Sequence, residues 1–429
     1  MTNMVMNNPD IATNPLDGAL AGYRVLDLSD EKGMLCARLL GEMGAEVIKV
    51  EPRMGDNARK RGPFYRDQQN SEHSLFWWAM NAGKYSITCE LNSNDGKALL
   101  HRLVEQSDVL IETNVPGGLR EKGLDYRTLS RINPSIIVAS ITNFGKTGPY
   151  RKLPADDIVA SALGGHMYLN GDPKHGPVRT TVQQAWAQVN AQAAVGISIA
   201  LYARGLNGGL GQQVDVSMQE AMSNAMDNAQ QTWDILKINN YGPGIGRMRE
   251  GQIGARYIYE TSDGWVACLG YGGLVGVTAD SIVDWFDESG EASVLNSPTW
   301  RKRLSMMDAF TEAEQNILEE IVAGFCRKRR KDDLVAEAQK RGAGWAPVYD
   351  PREIVESVQL NERDYWIRVY HDDLGESFFY PGPPFRLSET PWRQRGRAPF
   401  IGEHNDSVYL DLLGLSSEEL RKLHRRMII

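Results

Sequence analysis

Short apolar runs alternate with helical stretches along the first half of this chain, and that alternation restricts the fold more than any other feature. "YRVLDL" (Tyr23–Leu28) is followed by the helical pattern "GMLCARLLGEMG" and a second run, "AEVIKVE" (Ala45–Glu51). The pattern returns as "DGKALLHRLVEQS", "DVLIET", "GLDYRTLSRIN" and "SIIVASITNFG". Runs this short, and apolar almost throughout, read as strands buried on both faces of a parallel sheet with helical crossovers. The expectation is an α/β fold: a doubly wound, Rossmann-like large domain whose N-terminal part spans residues 19–205.

Further along, the stretch from Ala185 to Arg204 is Ala-rich with apolar residues at helical spacing, and "SMQEAMSNAMDNAQQTWDIL" reads as a helix within a linker over residues 206–245. At "GPGIGRMREGQIGARYIYETSDGWVACLGYGGLVG" the texture turns glycine-rich, with short strand-like runs and an Asp-Gly turn. This marks a smaller α+β domain over residues 246–345. Residues 346–429 contain the Pro-rich connection "YPGPPFRLSETP". They end in a helical pattern capped at Ser416/Ser417, with acids in its first turn. Residues 1–18 lack a charged-then-apolar signal pattern and read as a disordered lead-in.

Composition excludes several function classes. A net charge of −8 argues against nucleic-acid binding, which needs a basic face. The cluster "RKRRK" (Arg327–Lys331) reads as a solvated helix end. Cys36, Cys89, Cys268 and Cys326 are far apart, which argues against a metal site and a disulfide framework. No apolar run approaches the length of a membrane span, so the expected location is cytoplasmic. A nicotinamide cofactor does not fit. The turn after the first strand, "SDEKGMLC", has a single glycine where the dinucleotide fingerprint needs three, and Glu51 alone is a weak ribose-binding signal.

One window is anomalous. From Pro173 to Val214 there is no Asp or Glu, although at the chain's average frequency of acids it should hold about five.

Four phrases, in order along the chain, carry a resemblance: "GYRVLDLS…LLGEMGAEVIKVEPRMGDNAR", "GLDYRTLSRINPSIIVASITNFGKTGPYRKLPADDIVASALGG", "GLGQQVDVSMQEAM" and "APFIGEHNDSVYLDLLGL". Together the chain resembles the class III (CaiB/BaiF, formyl-CoA transferase-like) CoA-transferases from about Leu16 to its C-terminus. The resemblance implies a large domain built from both chain ends, an inserted smaller domain, and two subunits interlocked as rings. It also implies coenzyme A thioesters as substrates, with no metal and no nicotinamide.

In that family an Asp carboxylate attacks the thioester carbonyl, and CoA passes to an acceptor acid through anhydride and aspartyl-CoA intermediates. Matching "AAVGISIALYARGLNGGLGQ" to the family's corresponding phrase without a gap puts Trp186 at the position of that Asp, inside the acid-free window. Asp157, in "PADDIV", matches a carboxylate that lies near the thioester and is the nearest alternative nucleophile; its bland reading is helix capping. Lys32 and Gly33 match a CoA-contacting turn, and Arg53 and Arg59 the basic region after the second strand. Asn114 matches a nucleotide-site residue, while Glu121 stands where a basic residue is usual, flanked by Arg120 and Lys122.

The racemases of the same fold need a His–Asp pair, but Asp156 falls in the place of the His, and His166 lies ten residues too late. The resemblance therefore points to the Asp-lacking subunit of a hetero-oligomer, working beside an Asp-bearing homologue that moves CoA from succinyl-CoA to an arylsuccinate-type acid. Alternatives are a homodimeric CoA-transferase using Asp157, or a non-enzymatic acyl-CoA-binding protein. No nucleic-acid or membrane partner is expected.

Overall fold

All four apolar runs are strands. In the computed structural model, which describes residues 18–172, 176–241, 248–249, 256–268, 274, 278–307 and 310–429, they are β1 (Arg24–Leu28), β2 (Glu46–Glu51), β4 (Val109–Glu112) and β5 (Ile137–Thr142). With β3 (Tyr85–Thr88) and β6 (Gln213–Ser217) they form a six-stranded sheet in the order β3-β2-β1-β4-β5-β6, every neighbouring pair parallel. This is the doubly wound order, and its direction reverses between β1 and β4.

Alternation along each strand sends apolar side chains to both faces. Val25, Val47, Val109, Ile111, Ile137 and Ile141 pack on one side against α1 (Met34–Glu42) and α6 (Gln184–Leu206). Leu26, Ile48, Ile87, Leu110 and Val138 pack on the other, against α3 (Asn94–Glu105), α4 (Tyr126–Ile132) and the C-terminal residues Val408, Tyr409, Leu420, Ile428 and Ile429. The large unit is thus assembled from both ends of the chain: residues 18–164, Val182–Asn224 and Val358–Ile429.

Edge strand β3 is covered by that C-terminal segment. The Ser86 carbonyl accepts from the His404 amide at 2.9 Å, the Asn405 side chain accepts from the Thr88 amide at 2.9 Å, and the Tyr409 hydroxyl donates to the Thr88 carbonyl at 2.8 Å. An edge satisfied in this way offers no free ladder to another chain. The last helix, Ser417–Arg425, begins with a capping box between Ser416 and Glu419, as its sequence pattern requires.

The second unit comprises Gly165–Thr181 and Ala225–Ser357. It is α+β: an antiparallel sheet of Ile258–Thr261, Gly264–Cys268 and Trp345–Pro347, packed with helices that include Ala279–Glu288, Glu312–Arg327 and Lys331–Lys340 around Phe286, Phe325 and Trp345. The N-terminal lead-in (residues 1–17) and parts of the glycine-rich tract lie outside the described residues. The four cysteines are free and buried. Among the described residues no helix is long and apolar enough to cross a membrane, and no group of His, Cys, Asp or Glu is placed to hold a metal ion.

Candidate active site

In doubly wound sheets ligands bind outside the carboxyl ends of the strands at the reversal point, which in this chain is the crevice between β1 and β4. The Asp30 amide after β1 donates to Thr113 Oγ1 after β4 at 2.9 Å, so the two loops are tied together. Gly33 sits where they converge. A Cβ there would lie 2.7 Å from the Ser29 Cβ and 2.8 Å from the Thr113 methyl, so the close approach requires glycine. Beside it the Lys32 ammonium pairs with Asp30.

A buried charge cluster supports this turn from below. Asp27, on β1, lies directly opposite Lys49, on β2, in the parallel register. Lys49 donates to the Ser29 carbonyl and lies 3.7 Å from Asp27 and 3.5 Å from Asp56. Lys84 donates at 2.8 Å to Asp27, to the Met34 carbonyl and to Asn81. Burial alone would raise the Asp27 carboxyl, but Lys49 and Lys84 outweigh it and hold it below the usual carboxylate value. Burial pulls the Lys84 ammonium down to about 8, against the attraction of Asp27.

Helix α6 starts at the same end of the sheet. Gln183 precedes it and provides no side-chain cap. The cap comes from α5 (Asp157–Leu163) instead: Asp157 Oδ1 accepts from the Ala185 amide at 2.8 Å and from the Trp186 amide at 3.4 Å. A carboxylate at this place satisfies amides that the helix leaves orphaned and opposes the positive end of its dipole. Asp157 is itself buried, and Asp156 caps α5 by accepting from the Asp157 amide at 2.7 Å.

Trp186, in the first turn, is buried, and its indole N–H has no hydrogen-bond partner among the described residues. The Phe76 ring, on α2 (Leu75–Asn81), meets it edge-on at 6.4 Å, and the Arg61 guanidinium lies 4.8 Å from its ring centroid. One turn later Asn190 joins three elements: its carbonyl accepts from the Cys36 amide, and its NH2 donates to the Lys32 and Trp186 carbonyls, each at 2.7 Å.

The other residues singled out from sequence fall into two groups. Arg59 is buried; its guanidinium engages Glu51 at 2.7 Å and Glu72 at 2.6 Å and stacks on Trp77 at 3.8 Å, so its charge is neutralised inside the unit. Arg53 and Arg120 are exposed and Lys122 is half-buried, and none makes an ion pair among the described residues. Asn114 follows β4, and its amide donates to Glu112 at 2.7 Å. His166 belongs to the second unit. Sequence reasoning passed over Arg61, Phe76 and Asn190; the signals were a third cation in "NARKRG" and an aromatic-rich helix, "LFWWAMN".

Known proteins resemble this chain over nearly its whole length. The profile of CoA-transferase family III matches residues 20–405. The chain is 33% identical over 392 residues to the succinyl-CoA:(R)-benzylsuccinate CoA-transferase subunit BbsE of Thauera aromatica, covering 91% of this chain and 93% of the relative. It is 28% identical to the succinyl-CoA–L-malate CoA-transferase beta subunit of Chloroflexus aurantiacus, covering 96% and 98% respectively. A CaiB/BaiF family protein from Brucella suis superimposes with a TM-score of 0.77 at 26% identity, covering 92% of this chain and all of that one. The chain belongs to CoA-transferase family III.

Proposed function

We propose that this chain is the nucleophile-lacking subunit of a hetero-oligomeric class III CoA-transferase that moves CoA from succinyl-CoA to an arylsuccinate-type acid. The observation that carries the reading is Trp186: a buried indole at the first turn of α6, in a stretch of sequence without any carboxylate. Neither an indole nor an amide can act as both nucleophile and acyl carrier. Asp157, the nearest alternative, is occupied as the cap of that helix. The acyl-transfer step then belongs to an Asp-bearing homologous subunit.

Two further observations support a partner. Relatives of this chain are subunits of such transferases, benzylsuccinate and L-malate being their named acceptors. Along α6, Val195, Ile199, Tyr202 and Leu206 share one helical stripe and are 55%, 62%, 73% and 73% exposed, more apolar surface than an isolated helix face usually leaves to water. We assign this stripe to the contact with the homologous subunit, in an interlocked arrangement and in the cytoplasm. Lys32, Gly33, Arg53, Asn114, Arg120 and Lys122 would meet the CoA nucleotide. Arg59 and Asp157 would act from within, by fixing the backbone around it.

The chain purified alone should exchange no CoA between succinyl-CoA and arylsuccinates, and co-expression with an Asp-bearing homologue should restore exchange. Exchange by the chain alone, abolished by Asp157→Asn, would overturn the reading in favour of a homodimeric enzyme.

A further inference from the structure

Arg61 differs from Arg59, Lys32, Lys49 and Lys84, each of which has an acidic partner. Its guanidinium carbon lies 4.3 Å from the Phe76 ring centroid and 4.8 Å from that of Trp186, and the two centroids are 6.4 Å apart, so the rings adjoin it from two directions at about a right angle and leave its other sides free of aromatic contact. It is half-buried, yet its guanidinium makes no ion pair and no hydrogen bond among the described residues. Two residues earlier, Arg59 has both Glu51 and Glu72. Lys32 has Asp30, and Lys49 and Lys84 have Asp27. No acid is available from α6, because the stretch that forms it contains none.

Ring contacts hold a guanidinium by cation–π attraction without using up its N–H groups, so they stay available to grip a carboxylate with two parallel hydrogen bonds. A partly desolvated cation without a counter-ion is also a standing energetic cost that an incoming anion relieves. The flanking rings favour an anion attached to an apolar or aromatic body over a bare inorganic one.

We propose that Arg61, packed in the corner formed by Phe76 and Trp186, binds a free carboxylate of the dicarboxylic acid in this chain's own crevice, at the place where catalytic relatives keep their acid. The choice of acid rests on the subunit reading above; the anion site rests on the geometry of Arg61.

The test is calorimetric titration of the full chain, alone and co-expressed with its Asp-bearing homologue, using succinate, benzylsuccinate and inorganic phosphate as probes. Both dicarboxylates should bind, with affinity about tenfold or more lower in Arg61→Gln and intermediate in Arg61→Lys, which keeps the charge but not the planar fork. Trp186→Phe, which keeps a ring, should bind within a few-fold of wild type. Thermal melts establish that each variant is folded, and Arg61→Lys serves if Arg61→Gln is not. Equal binding by wild type and variants, or no dicarboxylate binding in either preparation, would overturn the proposal. Phosphate binding that depends on Arg61, with no dicarboxylate binding, would assign the site to the nucleotide and also overturn it. Failure of the subunit reading shows separately, as CoA exchange by the chain alone, and leaves these titrations unaffected.

Discussion

The carboxylate of Asp157 caps the helix that carries Trp186, accepting from the amides of Ala185 at 2.8 Å and Trp186 at 3.4 Å. One residue thereby serves a neighbouring helix while Asp156 caps its own. Asp157→Ala should destabilise the chain by about 1–3 kcal/mol, as expected for a buried cap whose removal leaves amides unsatisfied. Asp157→Asn should cost less, because an amide oxygen still accepts. Urea unfolding of the three proteins checks the order, and unequal m-values would point to a changed denatured state rather than a lost cap.

Trp186→Asp places a carboxylate in the first turn of α6, beside Arg61. Deleting a buried indole should cost about 3–5 kcal/mol in stability. Incubation with succinyl-CoA should then yield an enzyme-bound CoA adduct, visible as a mass increase on the intact protein and absent from wild type. A folded variant without adduct would mean that the surrounding groups no longer support the addition.

Asn190 links α1, the Lys32 turn and α6 through three hydrogen bonds of 2.7 Å. Asn190→Ala leaves the Cys36 amide only its longer bond to the Gly33 carbonyl at 3.2 Å and empties space between the two helices, so a loss of about 1–3 kcal/mol is expected. Because the Lys32 turn loses an anchor, CoA binding by the co-expressed complex should weaken more than in Lys340→Ala, an exposed substitution in the second unit. Equal effects of the two substitutions on CoA affinity would sink the anchoring role.

Lys84 gives the chain a signature at alkaline pH. Its folded-state pKa, about 8, lies below the ordinary lysine value of 10.5, so between those values the unfolded chain binds more protons and the Lys84 contribution to stability rises with pH. The rise should be on the order of 1–3 kcal/mol across that window and should vanish in Lys84→Met. Below the window, where Lys84 is charged in both states, its contribution is flat. Chemical denaturation at several pH values, wild type against variant, measures the difference; parallel curves would exclude Lys84 as the source.

The doubly wound half of the molecule was legible because strands buried on both faces keep nearly unbroken apolar runs, and β1, β2, β4 and β5 all do. Trp186 was legible as well, as an indole inside a window of sequence without acids. The groups that surround it were not. Arg61, Phe76 and Trp186 come from three separate segments whose meeting depends on how the loop after β2 folds back, which no local periodicity encodes. The pairing of Asp27 with Lys49 depends on strand register, and each charge alone reads as an interruption in an apolar run. Gln183 carries no cap, so nothing near α6 indicates that its cap lies in "PADDIV".

The burial of Tyr409, Leu420 and Ile428 against the sheet has a consequence for synthesis on the ribosome. Residues 225–357 emerge before the segment that covers one face of β1–β5, so most of the smaller unit's sequence is available to fold while Leu26, Ile48 and Leu110 still lack part of their cover. The larger unit therefore completes its cover only after most of the smaller unit has been made, and a nascent chain stalled before residue 404 should expose hydrophobic surface to chaperones although its whole parallel sheet has already been made.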